Sequence, residues 1–592
     1  MAKDRAGQLL ALYKKAKNKK QKRETIMNEL DAFDRNQQWE LQNAPEWLPK
    51  PVTNFVHLVK YTKRAALAMD NPTGKLRAVS PLGQQRVDQL DKAYQYVWDR
   101  AKARKIVRQN IETSKLLGLG IAHVYWNESK EGRMGATVQG DEGFQFEGDI
   151  EMCELDPAVF FPDPSAFTLN DCRYIAIMER KSKDWVKNHP KFQNKDQVEE
   201  QTGGDPADRG EIYNRDYTTE TDGLVNFLSF YEKTPNDHGG YTYYVSYMAG
   251  DKLLLDKQPL KPNRYPFAIL SDYPQRQDFW PMSTCEFILD NQKIINKVES
   301  IIAMIGTLMQ NPQKIVSGQS GIDPKEVAMY GNAPGHTYVS NMPAAQAIQY
   351  VEPPQIPQVL FNMLENAKAN IREITGLSEA YMGQSVGSLQ TSSGVNSLID
   401  RSTMRDRDQM YDIELYIQDL SNLIIDFMVT YYETPRWIRV MGENPNEYDF
   451  QQFIGSDYKD LEYDIFIDVS SKAPITRMKQ MQDAKEALNM QGQYSSAFPA
   501  AIITPQEFVR AMDWPNKDDI IKRMDVEEMK NKEQELTDIL NQSFDMLAQG
   551  ATPQEVQQAA IEQLQEMEKG GMGSTSNSNN VQSAQAGTGV GA

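Results

Sequence analysis

The chain has 592 residues, a net charge of −18 and 40% hydrophobic residues. Its length predicts about four domains at roughly 150 residues each, and its composition is that of a folded protein. The acidic balance excludes a protein built to coat nucleic acid, because phosphate binding requires a positive surface. An acidic wall beside DNA would instead let the DNA slide past it.

The three cysteines, Cys153, Cys172 and Cys285, lie far apart and form no CxxC pair. This spacing argues against a disulfide framework and favours a reducing compartment. The N-terminus lacks the apolar core of a signal peptide, and the longest apolar run, 301–309, is shorter than the ~20 residues that span a bilayer. We therefore expect a soluble protein that is cytoplasmic when made and has no membrane contact.

The first 117 residues predict three helices, over 1–35, 54–69 and 84–117. The first begins with a run of cations: Lys14, Lys15, Lys17, Lys19, Lys20, Lys22 and Arg23. Two interpretations fit this run, an arm that binds nucleic acid or the solvated face of a packed helix. The second is favoured by four apolar residues that suggest packing on one side, namely Leu9, Leu10, Leu12 and Tyr13.

From residue 121 the period of the sequence becomes that of strands with glycine turns. Strands are predicted at 122–126, 137–150, 174–178 and 265–270, and a hairpin at 224–233 and 241–255. Asp156, Asp163 and Asp171 lie within this region. They could supply oxygen ligands to a metal, but two of them precede proline, which favours a role in turns.

A heptad seam marks the centre of the chain, between Met282 and Pro312. Its members recur at spacings of three and four: Ile288, Asn291, Ile295, Val298, Ile302, Ile305 and Met309, with a flanking row of Ile294, Ile301 and Leu308. About 29 residues at ~1.5 Å each predict a rod of roughly 43 Å. The seam fits either a buried helix of a monomer or helix packing between subunits, and the spacing leaves both open.

Residues 313–357 predict a compact insert, after which the chain returns through a second helix. The insert is expected to contain strands at 314–316, 336–339 and 347–351 and a short helix near Pro324. The returning helix should end at Gly376 as a C′ residue. Its apolar face comprises Leu360, Leu364, Ala367, Ile371 and Ile374.

A polar loop rich in glycine, 378–394, follows the second helix. Its glycine density resembles that of a phosphate-binding loop, but the chain has no GxxxxGK[ST] motif, so a flexible loop is favoured. A third long helix then carries the seam Ile413, Ile417, Leu420, Ile424, Phe427 and Tyr431. Near its start, Arg401, Arg405 and Arg407 could contact DNA phosphates or pair with Asp400, Asp406, Asp408 and Asp412.

Strand character returns at 436–442 and 463–469, and we expect these strands to rejoin the first β-rich region. From Pro474 the chain is predicted to be helical, with capping boxes at 504–507 and 552–555. After Lys569 the composition predicts a disordered tail. The fold class is therefore α+β.

The sequence offers no convincing active site. The five histidines form no HxxxH or HExxH motif and lie near no cysteine, so zinc is not expected. The chain has no Walker A motif and no GxSxG elbow. We expect no enzymatic activity and no cofactor.

Several segments, taken in order, resemble those of tailed-bacteriophage portal proteins, the head-to-tail connectors. Residues 36–39 resemble the early aromatic motif, and 156–164 with 171–179 resemble the β-rich wing. The helix, insert and helix of 282–376 resemble stem, clip and stem. Residues 391–394 before the long helix resemble the tunnel loop and kinked helix. The likeness covers about 25–560, and the order and spacing of the segments carry it.

The resemblance implies a portal-like protomer that assembles as a ring. It divides the chain into a wing (1–280), a stem helix (281–311), a clip (312–357), a second stem helix (358–377), a tunnel loop (378–394), a long helix with returning wing strands (395–474), a helical crown (475–568) and a disordered tail (569–592).

The same resemblance implies a structural portal of the virion, made in the host cytoplasm and placed at one capsid vertex. Such a dodecameric ring passes double-stranded DNA, which a separate terminase packages and which the channel retains and later ejects. Implied partners are the terminase large subunit, adaptor or head-completion proteins, tail proteins, and the major capsid or scaffolding protein.

Two sets of residues would carry these roles. DNA would meet the loop at Gln384, Ser385, Ser388 and Gln390, and subunits would meet along Ile288, Ile295, Val298, Ile302 and Ile305. The alternatives are another virion structural or adaptor protein, or a ring-shaped enzyme subunit that handles nucleic acid. The last would need a phosphate loop or paired metal carboxylates, which the sequence does not offer.

Overall fold

The computed structural model describes residues 2–377 with short gaps and a longer one at 200–222, residues 392–466 apart from 442–447, and parts of 481–524. The chain forms two compact units, 1–469 and 470–592. Helices and sheets are mixed along the first unit, which confirms the predicted α+β class.

Four helices and one short strand begin the first unit: α1 (Ala2–Asp34), α2 (Phe55–Leu67), β1 (Lys75–Ala78), α3 (Gln84–Arg100) and α4 (Ala103–Leu117). The single helix predicted over 84–117 is wrong. Lys102 adopts a left-handed φ of 56°, a conformation that an α-helix of L-residues cannot continue through. Both helices bury apolar residues at helical spacing, so the sequence pattern does not reveal the break between them.

The β-rich part contains the strands β2 (Leu119–Asn127), β3 (Gly132–Ala136), β4 (Glu142–Phe146), β5 (Asp149–Leu155), β6 (Phe160–Pro162), β7 (Tyr174–Ser182), β8 (Leu224–Pro235), β9 (Tyr241–Ala249), β10 (Lys252–Pro259) and β11 (Phe267–Ser271), with α5 (Lys183–Asn188) after β7. Five strands pair antiparallel in the order β10-β9-β8-β7-β6, and three in the order β11-β2-β5. The strand predicted over 241–255 is two strands, because the chain turns at Gly250 with a φ of 59°.

A helical hairpin with a small tip follows, built from α6 (Leu289–Gln310), β12 (Lys314–Val316), α7 (Pro324–Tyr330), α8 (Ala344–Ala347), β13 (Ile348–Tyr350) and α9 (Gln358–Thr375). The helix α6 has 22 residues, about 33 Å at ~1.5 Å per residue, and is shorter than predicted. Met282 pairs with Tyr273 in a β-bridge, and Glu286–Ile288 form a short 3-10 helix. The α-helix therefore begins only at Leu289.

The tip of the hairpin pairs β12 with β13, as expected. The strand predicted at 336–339 is absent, because Tyr338 packs instead on the small core of Ile322, Val327 and Ala347. The returning helix α9 ends at Gly376 with a φ of 70°, which confirms the predicted C′ glycine.

The last elements of the first unit are α10 (Ser392–Tyr431), β14 (Arg436–Met441), β15 (Tyr448–Phe453) and β16 (Tyr463–Phe466). The prediction that two returning strands join the first β-rich region is wrong. β14 forms a hairpin with β15, a partner nearby in sequence, and β16 pairs with β1. For β14 and β15 the short connection explains the pairing, because closing a short loop costs less chain entropy than reaching a distant sheet, whereas β16 pairs with a strand distant in sequence that lies outside the first β-rich region.

The long helix α10 lies in the main hydrophobic core. Its seam confirms the predicted spacing, since Ile413, Ile417, Leu420 and Ile424 are at most 1% exposed. Two buried hydrogen bonds join this helix to α3 and α4, from Tyr94 to Ser421 at 2.7 Å and from Asn110 to Tyr416 at 2.6 Å.

In the second unit the described residues are helical at 484–491 and at Pro505–Ala511. The latter helix begins with the predicted capping box, in which Thr504 and Glu507 each accept a hydrogen bond from the other's backbone N–H. The second capping box at 552–555 and the tail after 569 lie outside the described residues.

Candidate interface and channel elements

Exposed apolar side chains gather between Phe287 and Ile374. Thirteen of the 27 large hydrophobic side chains that are exposed among the described residues lie in this segment. Those on the two helices are Ile294, Met309, Val359, Phe361, Met363 and Ile374, and those around the tip are Ile315, Met329, Tyr330, Val339, Tyr350 and Val351. Apolar surface concentrated in one region marks a site of contact with another molecule.

The predicted heptad seam of α6 lies mainly on the inner side of the hairpin. Ile288, Ile295, Val298 and Ile305 are at most 9% exposed, and Ile302 is half-buried. The first two share a core with Ala367 and Ile371 of the returning helix α9 and with Leu377, which follows it. A role of these five seam residues between subunits remains a prediction. The side chains open to a second chain include Ile294 of the flanking row, which is 40% exposed.

A buried polar row on α6 ties the helix to the segment that joins α1 and α2. Gln292, Asn296 and Ser300 are at most 2% exposed and recur at every fourth residue. Asn296 Nδ2 donates to Gln38 Oε1 at 2.6 Å, Gln292 Nε2 to the carbonyl of Thr53 at 2.8 Å, and Ser300 Oγ to that of Pro49 at 2.6 Å. Sequence reasoning missed this row, although its spacing of four was visible.

Four elements meet around one buried carboxylate at the base of α6. Asp272 Oδ1 lies 2.6 Å from Lys115 Nζ, and Oδ2 accepts hydrogen bonds from Thr284 N at 2.6 Å and Thr284 Oγ1 at 2.7 Å. Gln409 of α10 donates to the Tyr273 hydroxyl at 3.1 Å. A buried charge must be paired to be tolerated, so this cluster fixes the start of the hairpin against α4 and α10.

The four loop residues predicted to meet DNA, Gln384, Ser385, Ser388 and Gln390, lie outside the described residues, as do the side chains of Arg401 and Arg405. The flanks of the loop are described. Leu377 before it is 2% exposed within the core. After it, Asp406 of α10 forms a buried ion pair with Lys63 of α2 at 2.6 Å, a partner that the sequence did not indicate.

The basic N-terminal helix packs on the five-stranded sheet through Leu9 and Tyr13, as its apolar residues predicted. Lys20 is also buried, and its Nζ donates to the carbonyls of Pro157 at 2.6 Å and Phe160 at 3.1 Å. Four of the remaining lysines are exposed: Lys14, Lys15, Lys19 and Lys22.

The three aspartates of the β-rich part cap turns, as predicted. Asp156, Asp163 and Asp171 accept backbone hydrogen bonds from Ala158, Ser165 and Thr168 at 2.9, 3.1 and 3.1 Å. Burial alone would raise the pKa of the Asp163 carboxyl, but hydrogen bonds from Arg173 and Ser165 outweigh it and hold the pKa at about 2. Among the described residues, no group of three or more His, Cys, Asp or Glu is placed to hold a metal ion.

The three cysteines are free thiols. Burial raises the pKa of Cys172 to about 12 and that of Cys153 to about 11, and burial also raises the pKa of Cys285. Because the thiolate is the nucleophile and the metal ligand, these side chains are inert near neutral pH.

Comparison with known proteins identifies the family. Residues 68–573, more than four fifths of the chain, match the family model described as phage P22-like portal protein. One solved structure, titled "Neck of native GTA particle computed with C12 symmetry", is similar at 10% identity and a TM-score of 0.35, covering 78% of this chain and 89% of that one. A likeness this weak carries no argument of its own. In the part of the chain that the structure describes, no helix is long and apolar enough to cross a membrane. On the extent of the family match, this chain belongs to the phage P22-like portal proteins, which are structural connectors of the phage particle.

Proposed function

We propose that this portal protein is one subunit of a closed ring at one capsid vertex, and that double-stranded DNA passes through the central channel of the ring. The observation that carries the proposal is the helical hairpin. Asn370 Nδ2, near the end of α9, lies 3.4 Å from Asn291 Oδ1, near the start of α6, as expected for two antiparallel helices. The hairpin supports a small β-containing tip and leaves apolar side chains exposed on both helices.

These exposed side chains support assembly between subunits. Fully burying a side chain of the size of valine, phenylalanine or methionine stabilises by roughly 1.5–3 kcal/mol. Val359 is 63% exposed, Met309 54% and Met363 44%, so each retains a large part of that free energy for a second chain. A head-to-tail interface repeated by rotation closes into a ring, and we infer twelve subunits from the family resemblance.

The loop over 378–391 is proposed to face the DNA. It contains no lysine or arginine, and phosphates are held chiefly by those two residues. Gln384, Ser385, Ser388 and Gln390 would therefore touch DNA through weak polar contacts that allow sliding. Leu377, directly before the loop, is buried, and beyond the loop α10 is tied to α2 by the Lys63–Asp406 pair.

The motor is proposed to be a separate terminase that docks on the tip of the hairpin during packaging. Adaptor and tail proteins would later occupy the same tip, and the major capsid or scaffolding protein would hold the ring at its vertex. Met329 and Val339, which are 76% and 86% exposed at the tip, fit a docking role. The portal chain itself is expected to hydrolyse no ATP.

Negative-stain electron microscopy of the purified full-length protein tests the ring. We expect round particles with a central hole at micromolar concentration. A protein that remains monomeric at every concentration tested would contradict the proposal. ATP hydrolysis that co-purifies with the portal chain, and that is not due to a contaminating ATPase, would contradict the proposal of a separate motor.

Deleting 383–390 tests the role of the loop. We expect intact rings by electron microscopy, because the deletion removes none of the exposed apolar side chains of the hairpin, and reduced DNA packaging or retention in assembled particles. A matched replacement of the same eight positions by glycine and serine should retain more function than the deletion. Loss of the ring itself would show that the loop is structural.

A further inference from the structure

A groove of about 320 Å³ lies between α1, the turn that follows β6 and the segment that precedes the hairpin. Ala16 and Lys19 of α1 form one wall, residues 162–167 form a second, and residues 277–280 form the third. None of the described residues of the hairpin, on which the proposed function rests, belongs to this lining.

The walls of the groove are fixed by buried interactions. Lys20, next to Lys19, bonds the carbonyls at 157–160 and lies over the Phe161 ring at 4.2 Å and the Trp280 ring at 5.1 Å. Asp163 is 1% exposed and holds the second wall through Arg173 Nε at 2.5 Å and Ser165 Oγ at 2.8 Å. A preformed groove loses little conformational entropy when it binds a ligand.

Aromatic side chains make part of the groove apolar. Phe167 is 55% exposed in the second wall. Phe279 stacks on Phe160 with ring centroids 6.1 Å apart, and Trp280 meets Phe279 edge-on at 5.6 Å. Concave sites lined by aromatic rings bind a protruding apolar side chain of a partner.

The side of the groove formed by α1 is basic in a protein that is acidic. Residues 5–23 of α1 contain eight lysines and arginines and no acidic residue, whereas the whole chain has a net charge of −18. Lys15, Lys19 and Lys22 are exposed at spacings of four and three, which places them on one face of the helix. Asp163 is paired with Arg173, and Asp278 adds one negative charge to the lining.

We propose that this groove binds an acidic segment of another protein, which inserts one aromatic or aliphatic side chain between Phe167, Phe279 and Trp280 while its carboxylates pair with the lysines of α1. The apolar lining favours a peptide over DNA, because a duplex presents a charged ridge to such a surface. Electrostatic complementarity of this kind speeds association and selects the partner. The surface is additional to the proposed ring and channel.

A displayed library of random peptides, selected for binding to the full-length protein, tests the proposal. This experiment does not require the natural partner to be known. We expect enriched peptides with several Asp or Glu residues around one Phe, Trp or Leu. Fluorescence titration with the strongest labelled peptide should show affinity reduced about tenfold or more by Phe167→Ser and by Lys19→Glu. The exposed-site controls Tyr241→Ser and Lys325→Glu should leave it unchanged.

Two outcomes would overturn the inference. Selected peptides that are not acidic, or whose binding ignores both Phe167→Ser and Lys19→Glu, place the binding elsewhere. A short DNA duplex that binds in a manner dependent on Lys19 and independent of Phe167 assigns the surface to nucleic acid. Thermal unfolding of every variant should match the wild type, which separates loss of the groove from loss of the fold. If Phe167→Ser lowers the thermal stability, Phe167→Leu is the second variant. It keeps an apolar side chain, and we expect it to retain peptide binding.

Discussion

Two regions use apolar residues in opposite ways. One is the helical hairpin, and the other is the wing, taken here as residues 1–280 together with α10 and β14 to β16. Around α10 the wing encloses its largest side chains, and Trp98, Tyr94 and Tyr416 are at most 2% exposed. The tip of the hairpin has a core with only three fully buried members among the described residues, Ile322, Val327 and Ala347. The wing therefore buries its largest side chains within one chain, whereas the hairpin leaves many of its apolar side chains exposed.

Buried charge follows the same division. In the wing the pairs Lys63–Asp406 and Lys115–Asp272 are almost inaccessible to water. At the tip, His336 and Glu326 are 3.0 Å apart, but their side chains are 28% and 43% exposed. Buried pairs demand one geometry because a missing partner leaves an isolated charge. From this difference we expect the wing to hold one geometry and the hairpin to supply the contact between subunits.

The largest expected effect is in the wing. Asp406→Ala removes the carboxylate that lies 2.6 Å from the buried Lys63 ammonium, and we expect a loss of about 3–5 kcal/mol in the free energy of unfolding. Urea unfolding of the full-length protein measures it. The double variant Lys63→Met with Asp406→Leu should recover most of the loss. A single variant that unfolds like the wild type would show that water reaches the pair.

A smaller and different effect is expected in the hairpin. Val359→Ser with Phe361→Ser should leave the unfolding midpoint of the isolated protomer nearly unchanged, because both side chains are exposed. The ring of the variant should begin to dissociate at a higher protein concentration than the wild-type ring does, because each side chain contributes up to roughly 1.5–3 kcal/mol to an interface. Sedimentation velocity across a dilution series measures this.

The contrast needs a buried control from the same helix. Ile371→Ser is expected to lower the unfolding midpoint itself, because Ile371 is 2% exposed within the protomer. Rings that are as stable as those of the wild type after substitution of both Val359 and Phe361 would place the subunit contact elsewhere.

The smallest effect concerns a pair at the edge of the wing. The pKa of Asp163 in the folded protein, about 2, lies below its usual value near 4. Its stabilisation is therefore present above about pH 4 and is lost as the pH falls towards 2. Asp163→Asn should cost about 1–2 kcal/mol at pH 7, because the exposed Arg173 is partly screened by water.

Urea unfolding at pH 7 and at pH 2.5 measures this pH dependence. The difference between Asp163→Asn and the wild type should narrow at the lower pH. Asp171→Asn, at the neighbouring exposed turn, is the comparison: hydrogen bonds from Thr168 also lower the pKa of Asp171, but this carboxyl is exposed, and we expect a smaller change with pH. A difference that stays constant with pH would assign the effect of Asp163→Asn to the shape of the turn rather than to charge.

Much of the fold was predictable where the signal is local. The seam of α10, the glycine that ends α9 and the capping box at Thr504 follow from spacing and from the residues at helix ends. The break at Lys102, the pairing of β16 with β1 and the late start of α6 were not predictable. The strand pairing joins residues far apart in sequence, whereas the break and the late helix start are local changes of backbone geometry. A hydrophobic period contains neither kind of information.

The candidate site divides in the same way. The order of helix, insert, helix and polar loop indicated a portal protein, because that order and spacing are properties of the chain. Which side of α6 is buried was decided only by tertiary structure. Ile295 faces the returning helix, Asn296 binds Gln38 and Ile294 is left exposed, although all three are adjacent in sequence. Periodicity identifies the faces of a helix, but burial depends on which element packs against each face.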